Sequence, residues 1–252
     1  MSKEQDIHEA YWDPRLKKSG TGPKLTPDGL TGCYRMDWVL QEMNWKDYSD
    51  GWVLDLGCGN GTLLLPFSKR NWHCVGLDIS YSAIDAARER GIEQSRFEVR
   101  NLDGGLNIPL TSEKFDVVTV LATLEHLRCP EDVIREASSL MRPGGTIWIA
   151  TDNIAYYGWI DSIIRGKFPE NAATGEHVSF FTHTDVIELL RRCGFSKMKC
   201  YPESPHAGVN LKSKVPKRLE STFRERYNEV KCGVPFDLHF KTCRILVSAR
   251  KT

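Results

Sequence analysis

Two hydrophobic periods alternate along this 252-residue chain. Short apolar runs at residues 52–56, 73–78, 96–99, 115–122, 146–151, 195–201 and 243–249 have the length and composition of strands. Between them lie stretches whose apolar residues recur three and four apart. Residues 34–45 set Met36, Val39, Leu40 and Met43 on one stripe, and residues 131–141 do the same with Val133, Ile134, Ala137 and Leu140. Residues 63–70, 81–90 and 182–193 complete the predicted helices. Ser80 stands where an N-cap belongs, Asp185 falls in a first turn, and Gly194 lies just past a helix end. Arg142-Pro143-Gly144-Gly145 reads as the stop between a helix and the next strand.

Strand and helix in alternation predict an α/β fold with a parallel, doubly wound sheet. The run at 115–122 is almost wholly apolar, as a strand covered on both faces must be. The last strand follows no obvious crossover helix, so it is free to run antiparallel. Residues 1–33, punctuated by Gly20, Gly22, Pro23, Pro27, Gly29 and Gly32, read as loop. There is no internal repeat. We expect an N-terminal lid segment and helix over 1–49, and one α/β domain over 50–252 with a lid insertion at 204–240.

The first strand runs directly into the chain's most informative segment, Val53-Leu54-Asp55-Leu56-Gly57-Cys58-Gly59-Asn60-Gly61-Thr62. The second strand ends in Asp78. Strand, glycine loop, helix, strand and acid make a nucleotide-binding unit. Glycines open the loop backbone to a ligand and permit positive φ. A carboxylate at the tip of the second strand can accept hydrogen bonds from two ribose hydroxyls. The spacing departs from the dinucleotide pattern, because Thr62 stands where its third small residue belongs. Asp55, just before the loop, would repel a pyrophosphate and favour a ligand carrying an ammonium or sulfonium group.

On these residues the chain resembles the class I S-adenosylmethionine (SAM)-dependent methyltransferases, of the small-molecule, type 11/12-like kind. The resemblance is strongest over residues 50–195. It implies a Rossmann-like seven-stranded sheet in the order 3-2-1-4-5-7-6 with strand 7 reversed, and SAM as cofactor. It assigns Asp55, Gly57, Cys58, Gly59 and Gly61 to the methionine end and the sugar, and Asp78 to the ribose. Ile79 would pack on the adenine, and Asp103 would meet the adenine amino group or else form a turn before Gly104-Gly105. Leu121 would border the sulfonium. Leu124-Glu125-His126-Leu127 and His177-Val178-Ser179-Phe180-Phe181-Thr182 also resemble runs of the family. An imidazole can take a proton near neutral pH, so His126 and His177 are candidate bases; both can equally be structural.

Composition narrows the picture further. Lys and Arg total 34 against 33 Asp and Glu, which argues against a broad nucleic-acid surface. No run is long enough for a membrane span, and the polar N-terminus has no signal core, so a cytoplasmic location is expected. Eight cysteines include no C-x-x-C pair; Cys58, Cys74 and Cys193 read as reduced core residues, and no metal constellation stands out. The expectation is methyl transfer to a small-molecule substrate, most simply at an oxygen of a sugar, lipid or phenol. Competing readings are an RNA methyltransferase using the basic residues of 204–240, a SAM-binding partner protein without catalysis, and an NAD-dependent dehydrogenase. Oligomeric state is left open.

Overall fold

Seven strands form one sheet in the order β3-β2-β1-β4-β5-β7-β6. The computed structural model describes residues 25, 29–47, 50–108, 114–167, 176–202, 234 and 242–252. Strands β1 (Trp52–Leu56), β2 (His73–Asp78), β3 (Ser95–Val99), β4 (Phe115–Leu121) and β5 (Met141–Asp152) are mutually parallel. β7 (Arg244–Lys251) runs antiparallel between β5 and β6 (Phe195–Tyr201). This is the order and the reversed strand that the resemblance implies.

Helices cover both faces because successive strand residues point to opposite sides. On one face α1 (Tyr34–Glu42), α2 (Leu64–Ser68) and α3 (Tyr81–Glu89) pack Trp38, Phe67 and Ile84 against Val53, Val117 and Trp148. On the other, α4 (Pro130–Leu140) and α6 (His183–Arg192) pack Ile134 and Leu190 against Leu54, Val118 and Ile149. Ser80 caps α3 by accepting from the Ala83 amide at 3.1 Å. Thr182 and Asp185 form a reciprocal capping box at the start of α6.

Several boundaries differ from the sequence reading. α1 stops at Glu42, and Trp45–Asp47 forms a separate 3-10 turn. α2 is shorter than 63–70. Arg142-Pro143-Gly144-Gly145 does not end before the strand but lies inside β5. Phe115 pairs with Met141 and Val117 with Thr146, so the extra residues are absorbed as a bulge. Arg142 pairs with Asp116, whose Oδ2 also accepts from the Trp52 amide at 2.8 Å, tying the bulge to the sheet's lower edge. One helix was not anticipated: α5 (Tyr157–Ile164), none of whose residues is buried. Among the described residues no helix is long and apolar enough to cross a membrane. Most of 1–33 and, apart from Val234, all of 204–240 lie outside the described residues, including Tyr11, Trp12 and the basic residues Lys212 to Arg226.

Candidate active site

The glycine loop crosses the carboxyl edge of the parallel strands, where open α/β sheets bind ligands. Gly57, Gly59 and Gly61 all take positive φ, at 76°, 51° and 72°. The amides of Gly57 and Cys58 both donate to the Leu77 carbonyl, at 2.8 and 3.0 Å, which fastens the loop to the end of β2. A Cβ on Gly57 would sit 2.1 Å from Thr123 Oγ1. That hydroxyl donates to the Leu56 carbonyl at 3.0 Å, so the loop and the end of β4 fit only without a side chain at 57. Gly76 is under a similar constraint, since its Cβ would meet the Phe97 ring and the Cys58 sulfur.

Asp78 is buried at the tip of β2. Its Oδ2 accepts from the Gly59 amide at 2.8 Å and its Oδ1 from the Ser80 amide at 2.9 Å. Two backbone donors hold the carboxylate in one orientation while its remaining lone pairs can serve a diol. Ile79 follows it and is half-buried. Asp55 lies deeper, 3% exposed, and its Oδ1 accepts from Thr119 Oγ1 at 2.6 Å. Burial pushes its carboxyl up to about 7; the Thr119 hydrogen bond opposes this and the charge of Asp78 adds to it. Burial also drives the Cys58 thiol up, so that sulfur is a packing group and not a nucleophile.

This donor set fits SAM. A held carboxylate could accept from a ribose diol, a buried acid with a costly charge could take a cation beside it, and the loop between them carries no side chains at its glycines. Asp103 lies in a 3-10 turn, Leu102–Gly104, after β3. Its carboxylate accepts from the amides of Arg128 at 3.0 Å and Cys129 at 3.0 Å, capping the approach to α4. The turn itself is held by Asn101, whose Oδ1 accepts from the Asp103 amide at 3.1 Å.

The substrate end is built by the segment after β4. Leu121 ends the strand half-buried, and Ala122 takes φ 54°, a strained conformation for a residue with a Cβ. A 3-10 turn, Leu124–His126, follows. Glu125 is buried and accepts from Thr151 Oγ1 at 2.7 Å. Its burial raises the carboxyl above the ordinary range, against the pull of His126. The Glu125 carbonyl accepts from the amides of Val178 and Ser179 at 2.9 and 3.1 Å, which lays residues 176–179 across the turn. His126 and His177 come together by this route, ring centroids 4.8 Å apart and nearly perpendicular. His126 Nδ1 lies 2.7 Å from the Glu176 carbonyl. A carbonyl only accepts, so Nδ1 carries the hydrogen, and in the neutral ring Nε2 is the nitrogen that bears the lone pair.

Glu125, His126 and His177 also bring one ligand atom each within 4.8 Å of one another, a set able to hold a metal ion. The sequence reading saw no such constellation because His177 joins Glu125 and His126 from a separate segment. It also missed Thr119, Thr123 and Gly76. A lone hydroxyl inside the apolar run Phe115-Asp116-Val117-Val118-Thr119-Val120-Leu121 was the available signal for Thr119.

Comparison with known proteins agrees with this geometry. The profile of a methyltransferase domain family matches residues 34–199. The chain belongs to that family and is a SAM-dependent methyltransferase. It is 27% identical over 199 residues to the ubiquinone biosynthesis O-methyltransferase of Coxiella burnetii, covering 77% of this chain and 80% of that one. The enzyme of the same name from Aeromonas salmonicida is 28% identical over 202 residues, covering 77% and 79%. Among solved structures, magnesium protoporphyrin IX methyltransferase from Synechocystis PCC 6803, with bound SAH, has a TM-score of 0.62 at 16% identity over 98% of both chains. A SAM-dependent methyltransferase from Thermotoga maritima has a TM-score of 0.59 at 13% identity, covering 99% of this chain and 100% of that one.

Proposed function

We propose that the protein methylates a hydroxyl oxygen of a small acceptor. The observation that carries this reading is the pair His126 and His177 at the carboxyl edge of β4, with His126 Nδ1 held by the Glu176 carbonyl. Bound SAM supplies a methyl group on a sulfonium, already activated for in-line displacement. Asp78 and the glycine loop would hold the nucleoside, Asp55 would face the cationic end, and Leu121 would border the methyl group. The remaining work is to align the acceptor, exclude water and remove one proton. As the oxygen–carbon bond forms and the sulfur–carbon bond breaks, the hydroxyl proton passes to imidazole. An amine acceptor would need that base far less. The relatives named as O-methyltransferases support the same choice of atom. We place the enzyme in the cytoplasm.

The test is to incubate the protein with SAM and matched acceptors, phenolic, sugar and lipid hydroxyls against their amine analogues, and to quantify S-adenosylhomocysteine. Release with a hydroxyl acceptor and not with its amine analogue is expected. Turnover with amines alone would overturn the assignment to oxygen, and SAM binding without turnover on any acceptor would favour the non-catalytic partner.

A further inference from the structure

We infer that Asp152 is the positioning residue of His177, and that Arg244 and Tyr34 hold Asp152 in that role. The inference rests on the reading of His177 as a residue of the methyl-acceptor end. Asp152 is the last residue of β5, and strand parity puts it on the same sheet face as Trp148 and Ala150, the face covered by α1. In register across the antiparallel pair stands Arg244, the first residue of β7. The Asp152 carboxylate therefore lies between two cationic or proton-bearing groups. Its Oδ1 is 3.7 Å from Arg244 Nε, and its Oδ2 is 3.7 Å from His177 Nδ1. Arg244 in turn lies over the Tyr34 ring at 4.9 Å, which joins the group to the start of α1.

Both imidazoles of the site thus present Nδ1 to an oxygen, a carbonyl for His126 and a carboxylate for His177. At 3.7 Å the second contact is an ion-pair distance, longer than a hydrogen bond. It still biases the ring: a carboxylate favours hydrogen on the nearer nitrogen, which leaves the lone pair on Nε2. Among the described residues, Glu125 and His126 are the other titratable groups placed with His177. The Arg244 guanidinium lies at ion-pair distance from the carboxylate oxygen that is not turned to His177. Asp152 is not needed to hold the strand end, because the neighbouring Asn153 does that through its amide to the Cys243 carbonyl at 2.9 Å and its Nδ2 to the Thr242 carbonyl at 2.8 Å.

Histidine-selective ¹⁵N–¹H NMR of the metal-free protein at mildly alkaline pH reads the ring tautomers without any acceptor, with His177→Gln assigning the signal. His177 is expected as the Nδ1–H form, turning to a mixed or Nε2–H form in Asp152→Asn and returning in Asp152→Glu. A wild-type His177 already in the Nε2–H form, or a tautomer indifferent to Asp152→Asn in a folded protein, would overturn the inference. Once an acceptor is in hand, Asp152→Asn should lower kcat about tenfold or more, the scale on which a positioned base acts. SAM affinity should stay within about twofold, and Asp152→Asn should add little in a His177→Gln background. An undiminished effect in that background would assign Asp152 a role independent of His177. The expected tautomers with turnover only on amines would overturn the oxygen assignment and leave the positioning of His177 standing.

Discussion

Asp55 is neutral or charged within the working pH range because burial has lifted its carboxyl to about 7, above the roughly 3.9 of an unfolded chain. Between those two values the folded protein holds a proton that the unfolded chain has released. The contribution to stability therefore falls as pH rises from about 4 to about 7 and is flat above, opposite in sign to a salt-bridged carboxylate. A cation set beside Asp55 reverses the cost of its charge, so SAM binding below pH 7 should expel a proton. Affinity should rise with pH by up to about tenfold per unit and level off near 7. Calorimetry in buffers of different ionisation enthalpy measures the proton, and Asp55→Asn should abolish it; affinity that is flat from acid to neutral pH would remove Asp55 from the cofactor's cationic end. Asp78→Ala should weaken SAM by about 1.5–3 kcal/mol, a lost charged hydrogen bond, with unchanged affinity in a folded variant as the contrary result. At this scale the sequence was legible where chemistry is local in the chain. Asp55, the glycines and Asp78 belong to one strand–loop–helix–strand unit. Thr119 and Thr123 reach the same loop from a different strand, and nothing in linear spacing pairs Thr119 with Asp55 or Thr123 with Gly57.

Elements were legible to the extent that their ends carry caps. Ser80 and the Thr182–Asp185 box stand at the starts foreseen for them. Thr182→Ala should cost about 1 kcal/mol in thermal unfolding, a typical cap loss, while SAM affinity is retained. An unchanged unfolding midpoint would mean that packing of Val186, Leu189 and Leu190 alone fixes α6. The element that misled was Arg142-Pro143-Gly144-Gly145. Proline and glycine usually interrupt a strand, but opposite Asp116 they form a bulge in which Gly144 takes φ 79° and Gly145 passes within 3.0 Å of the Asp116 carbonyl, measured from an added Cβ. Turn composition signals a departure from regular pairing, and only the partner strand decides whether that departure ends the strand. α5 escaped notice for a different reason: at 8 residues it is about two turns long, too short for its stripe of Tyr157, Ile160 and Ile164 to repeat.

Across the whole molecule, the two sheet faces divide the labour. One face is sealed by α4 and α6 from the middle and end of the chain, the other by α1 from its start and by the two helices of the nucleotide unit. α1 docks through Trp38, which meets Trp148 and Tyr201 edge-on at centroid distances of 5.2 and 5.1 Å. These aromatic contacts lie on the β5–β7–β6 side, away from the glycine loop but directly below Asp152 and Arg244. The N-terminal helix is therefore core to the fold on one side and a support for the acceptor end on the other. Trp38→Ala should lower stability by about 3–5 kcal/mol, as emptying a large buried aromatic site does. SAM should still raise the unfolding midpoint, since ligand that binds only the folded state stabilises it whatever the starting stability. Differential scanning fluorimetry with and without SAM separates the alternatives. A midpoint unmoved by the substitution would make 34–42 an appendage and not part of the core. A lowered midpoint with the SAM increment lost would place α1 in the cofactor site itself, and a lowered midpoint with the increment kept is what two separately supported halves of the site require.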